Sequence, residues 1–209
     1  MLSNEGFDLW ANGYDRTVQI SEDNNTYPFA GYRKILNMIF GEVMKKDRAE
    51  VLDIGIGTGV LASRLYDNDH KIDGIDFSEE MLSIAQPKMK DANLIEWNIA
   101  EGLPAGISNK KYDSIVSTYT LHHFTDEEKL SLLKTLLSRL KDDGKILIGD
   151  ISFENKQDHD ACRLDNADNW DDDEFYFIND DIEPELSSIS NYGYHQVSHC
   201  GGLYIIKNL

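Results

Sequence analysis

Three things are scarce in this chain, and each shortage excludes something. Only 2 of the 209 residues are cysteine, basic residues are far outnumbered by acids, and no apolar run is long enough to cross a bilayer. Cys162 and Cys200 stand alone and match neither a C-x-x-C pair nor a zinc-ligand spacing, so free thiols in a reducing compartment are expected. Twenty Lys and Arg against 38 Asp and Glu leave a net charge of −18. Such a surface repels phosphate backbones, which argues against nucleic acid and for a small-molecule partner. No membrane partner is expected either. The opening residues MLSNEGFDLWANGYD carry acids and polar groups where a secretory signal would carry a basic patch and an apolar core, so a cytoplasmic location is expected. Oligomeric state stays open.

What is present suffices for one sizeable core: 41% of the residues are hydrophobic over 209 positions. Strand and helix patterns alternate without an internal repeat or low-complexity linker, the pattern of an α/β domain. The most informative stretch is Val51 to Gly59, an apolar run that passes straight into a glycine turn. Glycine's missing Cβ lets a backbone bend sharply and approach a ligand, so Gly55, Gly57 and Gly59 mark a binding turn. Asp53 is the odd residue in that run. A carboxylate at the end of a buried strand needs a partner, either turn N–H groups or a bound molecule.

Downstream, Lys71 to Asp76 reads as a second short strand ending in an acid, 21 residues beyond Gly55. That is the length of one βαβ unit, and an acid there is placed to accept from ribose hydroxyls. The glycine spacing is G-x-G-x-G, whereas the dinucleotide fingerprint is G-x-G-x-x-G and position 60 holds Val. A nicotinamide-dependent oxidoreductase is disfavoured on that ground.

The remaining pattern predicts a helix from Tyr32 to Lys46, with Ile35, Leu36, Ile39, Phe40 and Val43 on one face, and a helix from Val60 to Tyr66. Ser78 is placed as an N-cap, and Pro87 ends or kinks the helix that follows it. Thr125 and Glu128 have capping-box spacing ahead of leucines at helical period, with Gly144 as the expected stop. Strands fit 94–97, 114–117 and 145–149. At the C-terminus, segments 194–198 and 203–207 flank Gly201-Gly202, a hairpin signal. Ten carboxylates between Asp165 and Glu185 face no Lys or Arg within that stretch, and they read as a solvated surface. The stretch lacks the glycine and ligand spacing of a calcium loop.

Through DIGIGTG at 53–59, GIDFSEEML at 74–82 and YDSIVSTYTLHHFTDEEK at 112–129, the chain resembles the class I S-adenosylmethionine-dependent methyltransferases. WANGYD at 10–15, LHHFTDEEK and ISFEN at 151–155 look closer still to the uncharacterised bacterial methyltransferases of the YrrT type. The resemblance implies a Rossmann-like, seven-stranded, mostly parallel sheet flanked by helices, with a C-terminal antiparallel hairpin. It implies one domain with a helical lid over 1–48, a cofactor core over 49–155, and helices and a hairpin over 156–209.

S-adenosylmethionine is then the expected cofactor, S-adenosylhomocysteine its product, and methyl transfer to a small-molecule acceptor the expected activity. The implied binding set is Asp53, Gly55, Gly57, Gly59, Asp76, Phe77, Met81, Asn98, Ile99 and Ser117, with Tyr14 of the lid. Arg33 is expected at the methionine carboxylate. The family usually has an acid where Asn98 stands; an Asn carbonyl accepts the same hydrogen bond without the charge. Trp10, Tyr14, Tyr27 and Phe29 are candidates for the acceptor pocket.

His122 and His123 follow a strand at the carboxyl edge of the sheet, where open α/β folds place ligands. One of them, as catalytic base, could take a proton from the acceptor. His195 and His199 fall on a predicted strand, where a spacing of four is not a helical metal pair, so no metal is expected. The alternative of another class is a non-catalytic protein that binds the cofactor as a sensor or through a partner; it would need no acceptor cavity beside His122, His123 and Tyr14.

Overall fold

The computed structural model describes residues 16–209. Its centre is a sheet in which β1 (Glu50–Ile54) lies between β2 (Lys71–Asp76) and β4 (Tyr112–Thr118), all parallel. Outside β2 lies β3 (Asn93–Glu96), and beyond β4 comes β5 (Leu140–Phe153), also parallel. The closing pair β7 (Asn191–Gln196) and β8 (Gly201–Lys207) is antiparallel, with β8 against β5. The order is therefore β3-β2-β1-β4-β5-β8-β7, seven strands in one path, with the two-residue β6 (Phe177–Ile178) beside the end of β5. The strand order reverses between β1 and β4, which opens a crevice at their carboxyl ends.

Side chains alternate across the strands, so Leu147 joins one apolar layer while Ile146 and Ile148 join the other. The first layer is covered by α1 (Tyr32–Val43), α2 (Val60–Tyr66) and α3 (Glu79–Ala85), through Ile35, Ile39, Leu61, Leu65 and Ala85. The second is covered by α4 (Asp126–Leu137) and, through Ile182 and Leu186, by α6 (Asn179–Ile189). Between them in sequence, α5 (Lys156–Asp165) places Cys162 against the first layer. Ser78 caps α3 by accepting from the Met81 N–H, and the Thr125–Glu128 box closes on both sides at the start of α4. Among the described residues, no helix is long and apolar enough to cross a membrane.

Several boundaries differ from the sequence pattern, the strands at 94–97, 114–117, 145–149 and 194–198 among them. Helix α1 stops at Val43 rather than Lys46. Gly144 does not end α4, which stops at Leu137; it lies inside the long β5, where the pairing with β4 shifts register. A Cβ at Gly144 would stand 2.9 Å from the Tyr112 carbonyl oxygen, so the glycine serves a close approach of two strands. Likewise Gly201 and Gly202 lie within β8, and the hairpin turns through residues 197–200. A Cβ at Gly202 would stand 2.4 Å from the Ser152 Oγ. Of the acids from Asp165 to Glu185, all but Glu174 are exposed. His195 lies on β7 and His199 in the turn after it.

Candidate active site

The turn after β1 is held by backbone. Gly55 and Gly57 have φ of +70° and +54°, in the left-handed region that side chains disfavour. The N–H groups of Gly55 and Ile56 both donate to the Ile75 carbonyl, at 2.8 and 3.0 Å. Asp76 ties this turn to the next: its Oδ2 accepts from the Gly57 N–H at 2.8 Å and its Oδ1 from the Ser78 N–H at 3.0 Å. A Cβ at Gly55 would come within 2.0 Å of the Thr120 Oγ1, so the loop after β4 closes directly over this turn.

Beside the turn lies a cavity of about 230 Å³. Asp53, Gly55, Gly57, Asp76, Phe77, Met81, Asn98 and Ile99 all line it. Asp53 is fully buried, and among the described residues its Oδ1 has no hydrogen-bond partner. Burial, with the Asp76 carboxylate nearby, pushes its pKa up to about 8. Asn98 already uses its side-chain oxygen to accept from the Ala100 N–H at 3.0 Å, capping the short turn Ile99–Glu101; a carbonyl oxygen keeps a second lone pair for a ligand.

Other expected positions lie elsewhere. Gly59 does not line the cavity; a Cβ there would stand 2.9 Å from the Met89 Cε, so it packs the turn against the stretch after α3. Ser117 points away and donates to the Ile54 carbonyl at 3.0 Å, tying β4 to β1. Arg33 is exposed and paired with Glu22 at 3.1 Å and Asp23 at 3.2 Å. The residue before it on α1, Tyr32, reaches the cavity instead, because successive helical residues diverge by about 100°. Tyr27 stacks on Trp170 with ring centroids 5.1 Å apart and shares a hydrogen bond with the Tyr176 hydroxyl; neither it nor Phe29 lines the cavity. Trp10 and Tyr14 lie outside the described residues, as does the start of the expected lid.

Sequence reasoning missed Tyr32, Trp97, Thr118, Tyr119, Thr120 and Phe124 in the lining. Four of these sit inside or beside the Ser117–His123 motif, one or two residues from a position that was singled out. Tyr119 has a φ of +51°, unusual for a bulky residue, and its ring packs against Phe29 and Tyr32, each at 5.2 Å between centroids.

The two histidines separate. His123 lines the cavity, whereas His122 is buried behind it. His122 Nδ1 lies 2.6 Å from Asp150 Oδ1, at the far end of β5. Asp150 is held in turn by the N–H groups of Leu121 at 2.9 Å and Ile151 at 2.8 Å. Burial works against charge on His122, but the Asp150 carboxylate prevails and raises its pKa. Burial and the neighbouring His122 push His123 down to about 4, leaving it neutral at neutral pH. Glu174, from the acidic stretch, turns in to face both: its Oε1 is 3.5 Å from His122 Nε2 and 3.8 Å from His123 Nδ1.

A mostly parallel sheet with a glycine turn after its central strand and acids near the ends of β1 and β2 is the frame of a nucleotide-cofactor-binding α/β domain. The family model described as a methyltransferase domain matches residues 51–144, and the chain belongs to the class I S-adenosylmethionine-dependent methyltransferases. It is 35% identical over 154 residues to an uncharacterized methyltransferase of Alkaliphilus oremlandii, covering 74% of this chain and 69% of that one. To an uncharacterized methyltransferase of Staphylococcus carnosus it is 32% identical over 182 residues, covering 87% and 81%.

Among solved structures, the DhpI–SAH complex superposes with a TM-score of 0.72 at 14% identity, covering 98% of this chain and 94% of that one. An S-adenosylmethionine-dependent methyltransferase from Clostridium acetobutylicum gives 0.68 at 18% identity, covering 93% and 98%. At those identities the likeness is one of fold.

Proposed function

We propose that this methyltransferase methylates a small-molecule acceptor that enters the cavity on the side of Tyr119 and His123. The observation that carries the cofactor assignment to this cavity is the Asp53 Oδ1, a buried carboxylate oxygen without a partner among the described residues. S-adenosylmethionine carries an ammonium group that would satisfy it, and the carboxylate would then be charged where it is now neutral. Asp76, which accepts from the Gly57 and Ser78 N–H groups, stands at the end of β2 where such a carboxylate meets ribose hydroxyls. Phe77, Met81 and Ile99 offer an apolar bed for adenine, and Asn98 a polar edge.

When bound, the cofactor supplies a methyl group already activated by its sulfonium. The chain's own work is then to hold the acceptor in line and keep water out, and such positioning supplies up to roughly 7–11 kcal/mol. Tyr32, Tyr119 and Phe124 shape the wall that an acceptor meets, and His123 stands in that wall beside them. The net charge of −18 favours a small acceptor over a nucleic acid.

Calorimetric titration with S-adenosylmethionine, S-adenosylhomocysteine and NAD tests the assignment. Saturable binding of the two sulfur compounds, lost in Asp76→Ala, is expected, followed by turnover with small thiols, amines or hydroxyl compounds. Preference for NAD would overturn it.

A further inference from the structure

We propose that His122, His123 and Glu174 form a site for a divalent metal ion at the rim of the cavity, with Zn²⁺ the cation best matched to two imidazoles and one carboxylate. The inference builds on the cavity assignment only for what the metal would meet; the site itself rests on its own geometry.

One ligand atom from each of the three residues lies within 4.8 Å of the others. The two nitrogen-to-carboxylate separations are 3.5 and 3.8 Å. A tetrahedral ion with bonds of about 2.0–2.1 Å needs ligand atoms roughly 3.3–3.4 Å apart, which the two nitrogen-to-carboxylate separations approach, and side-chain rotation would draw the two imidazole nitrogens together. The site is empty.

The surroundings are those a metal site needs. A ligating histidine is ordinarily oriented by a hydrogen bond from its other ring nitrogen to a carboxylate. His122 has that arrangement: Asp150 holds its Nδ1 at 2.6 Å, which leaves Nε2 toward Glu174. Asp150 is itself fixed by two backbone N–H groups. On the opposite side, Glu174 Oε2 accepts from the Tyr176 hydroxyl at 2.7 Å, which leaves Oε1 toward the histidines.

His123 lies with its ring centroid 4.2 Å from that of His122 and approaches the same Glu174 oxygen. Two imidazoles and one shared carboxylate oxygen converge on a point that a cation would occupy. Three protein ligands leave a fourth position open, as in catalytic zinc sites, and His123 brings it to the cavity wall. The acceptor class implied is one with an oxygen or sulfur donor.

The test is titration of the metal-stripped, full-length protein with Co²⁺, followed by its visible absorption, and with Zn²⁺ by calorimetry. S-adenosylhomocysteine is titrated in parallel. One equivalent of metal per chain is expected, with affinity reduced at least roughly tenfold to a hundredfold in Glu174→Gln and in His123→Ala. Thermal unfolding of both variants checks that they fold. No saturable binding, or binding of equal strength in both folded variants, would overturn the site. Metal binding without S-adenosylhomocysteine binding would uphold this site and overturn the cavity assignment; the converse would do the reverse.

Discussion

Lys129, whose side chain has no exposed surface, donates through Nζ to the Phe175 carbonyl at 2.6 Å. The same ammonium pairs with Asp126 at 2.8 Å and sits 4.3 Å above the Phe177 ring. Helix α4 therefore clasps the stretch that carries Glu174, one residue before Phe175. Lys129→Met keeps much of the volume but leaves that carbonyl without its charged donor, which costs about 1.5–3 kcal/mol in urea unfolding. Amide exchange should rise locally around 173–178; unchanged protection there would show that the clasp is not what holds the stretch.

Asp53 links cofactor binding to pH. Its pKa in the folded chain is about 8 against an ordinary 3.8, so the folded state holds the proton more tightly than the unfolded chain. The stability this gives is full below pH 3.8 and is lost as pH rises toward about 8. Placing an ammonium beside the carboxylate releases the proton, so S-adenosylmethionine affinity should rise up to about tenfold per pH unit below about 8. Calorimetry at pH 7 in two buffers of different ionisation enthalpy reads the released proton directly. Identical heats in both would remove Asp53 from the binding account, and Asp53→Asn should abolish the difference.

Gly55 and Gly57 differ in what they must avoid. Both have positive φ, but a Cβ on Gly55 would stand 2.0 Å from Thr120 Oγ1, while one on Gly57 meets nothing within 4 Å. Gly57→Ala should then cost only backbone strain, about 1–2 kcal/mol. Gly55→Ala adds overpacking of about 1–3 kcal/mol and displaces the 118–120 loop from the cavity. Equal destabilisation of the two variants in chemical unfolding would contradict this account.

Asp150 is buried, and burial that would otherwise raise its pKa is outweighed by His122, which lowers it. Asp150→Ala leaves a buried imidazole and two backbone N–H groups without their acceptor, and a loss of about 3–5 kcal/mol is expected on equilibrium unfolding. Asp150→Asn keeps an acceptor and should lose less.

What the amino-acid order made legible was local. The turn at Gly55 and Gly57, the acid at Asp76, the cap at Ser78 and the Thr125–Glu128 box each depend on backbone geometry over a few residues, and all form as the spacing predicts. What it hid depends on partners far along the chain. Gly202 resembles a turn residue until Ser152 is seen lying 2.4 Å from where its Cβ would be. Arg33 looks suited to a carboxylate ligand, but Glu22 and Asp23 already occupy it. Ser117 lies in the right motif on the wrong side of its strand, and Glu174 reads as one more surface acid among ten.

The cavity's walls are made of different materials. Backbone N–H groups and the fixed acids of β1 and β2 form the side toward the glycine turn, whereas aromatic rings and His123 on the loop after β4 form the side toward Glu174. Substitutions on the second side leave the main-chain bonds of the first in place. Such a division lets acceptor preference drift during divergence while the cofactor requirement stays the same, so relatives with this turn intact need not share a substrate.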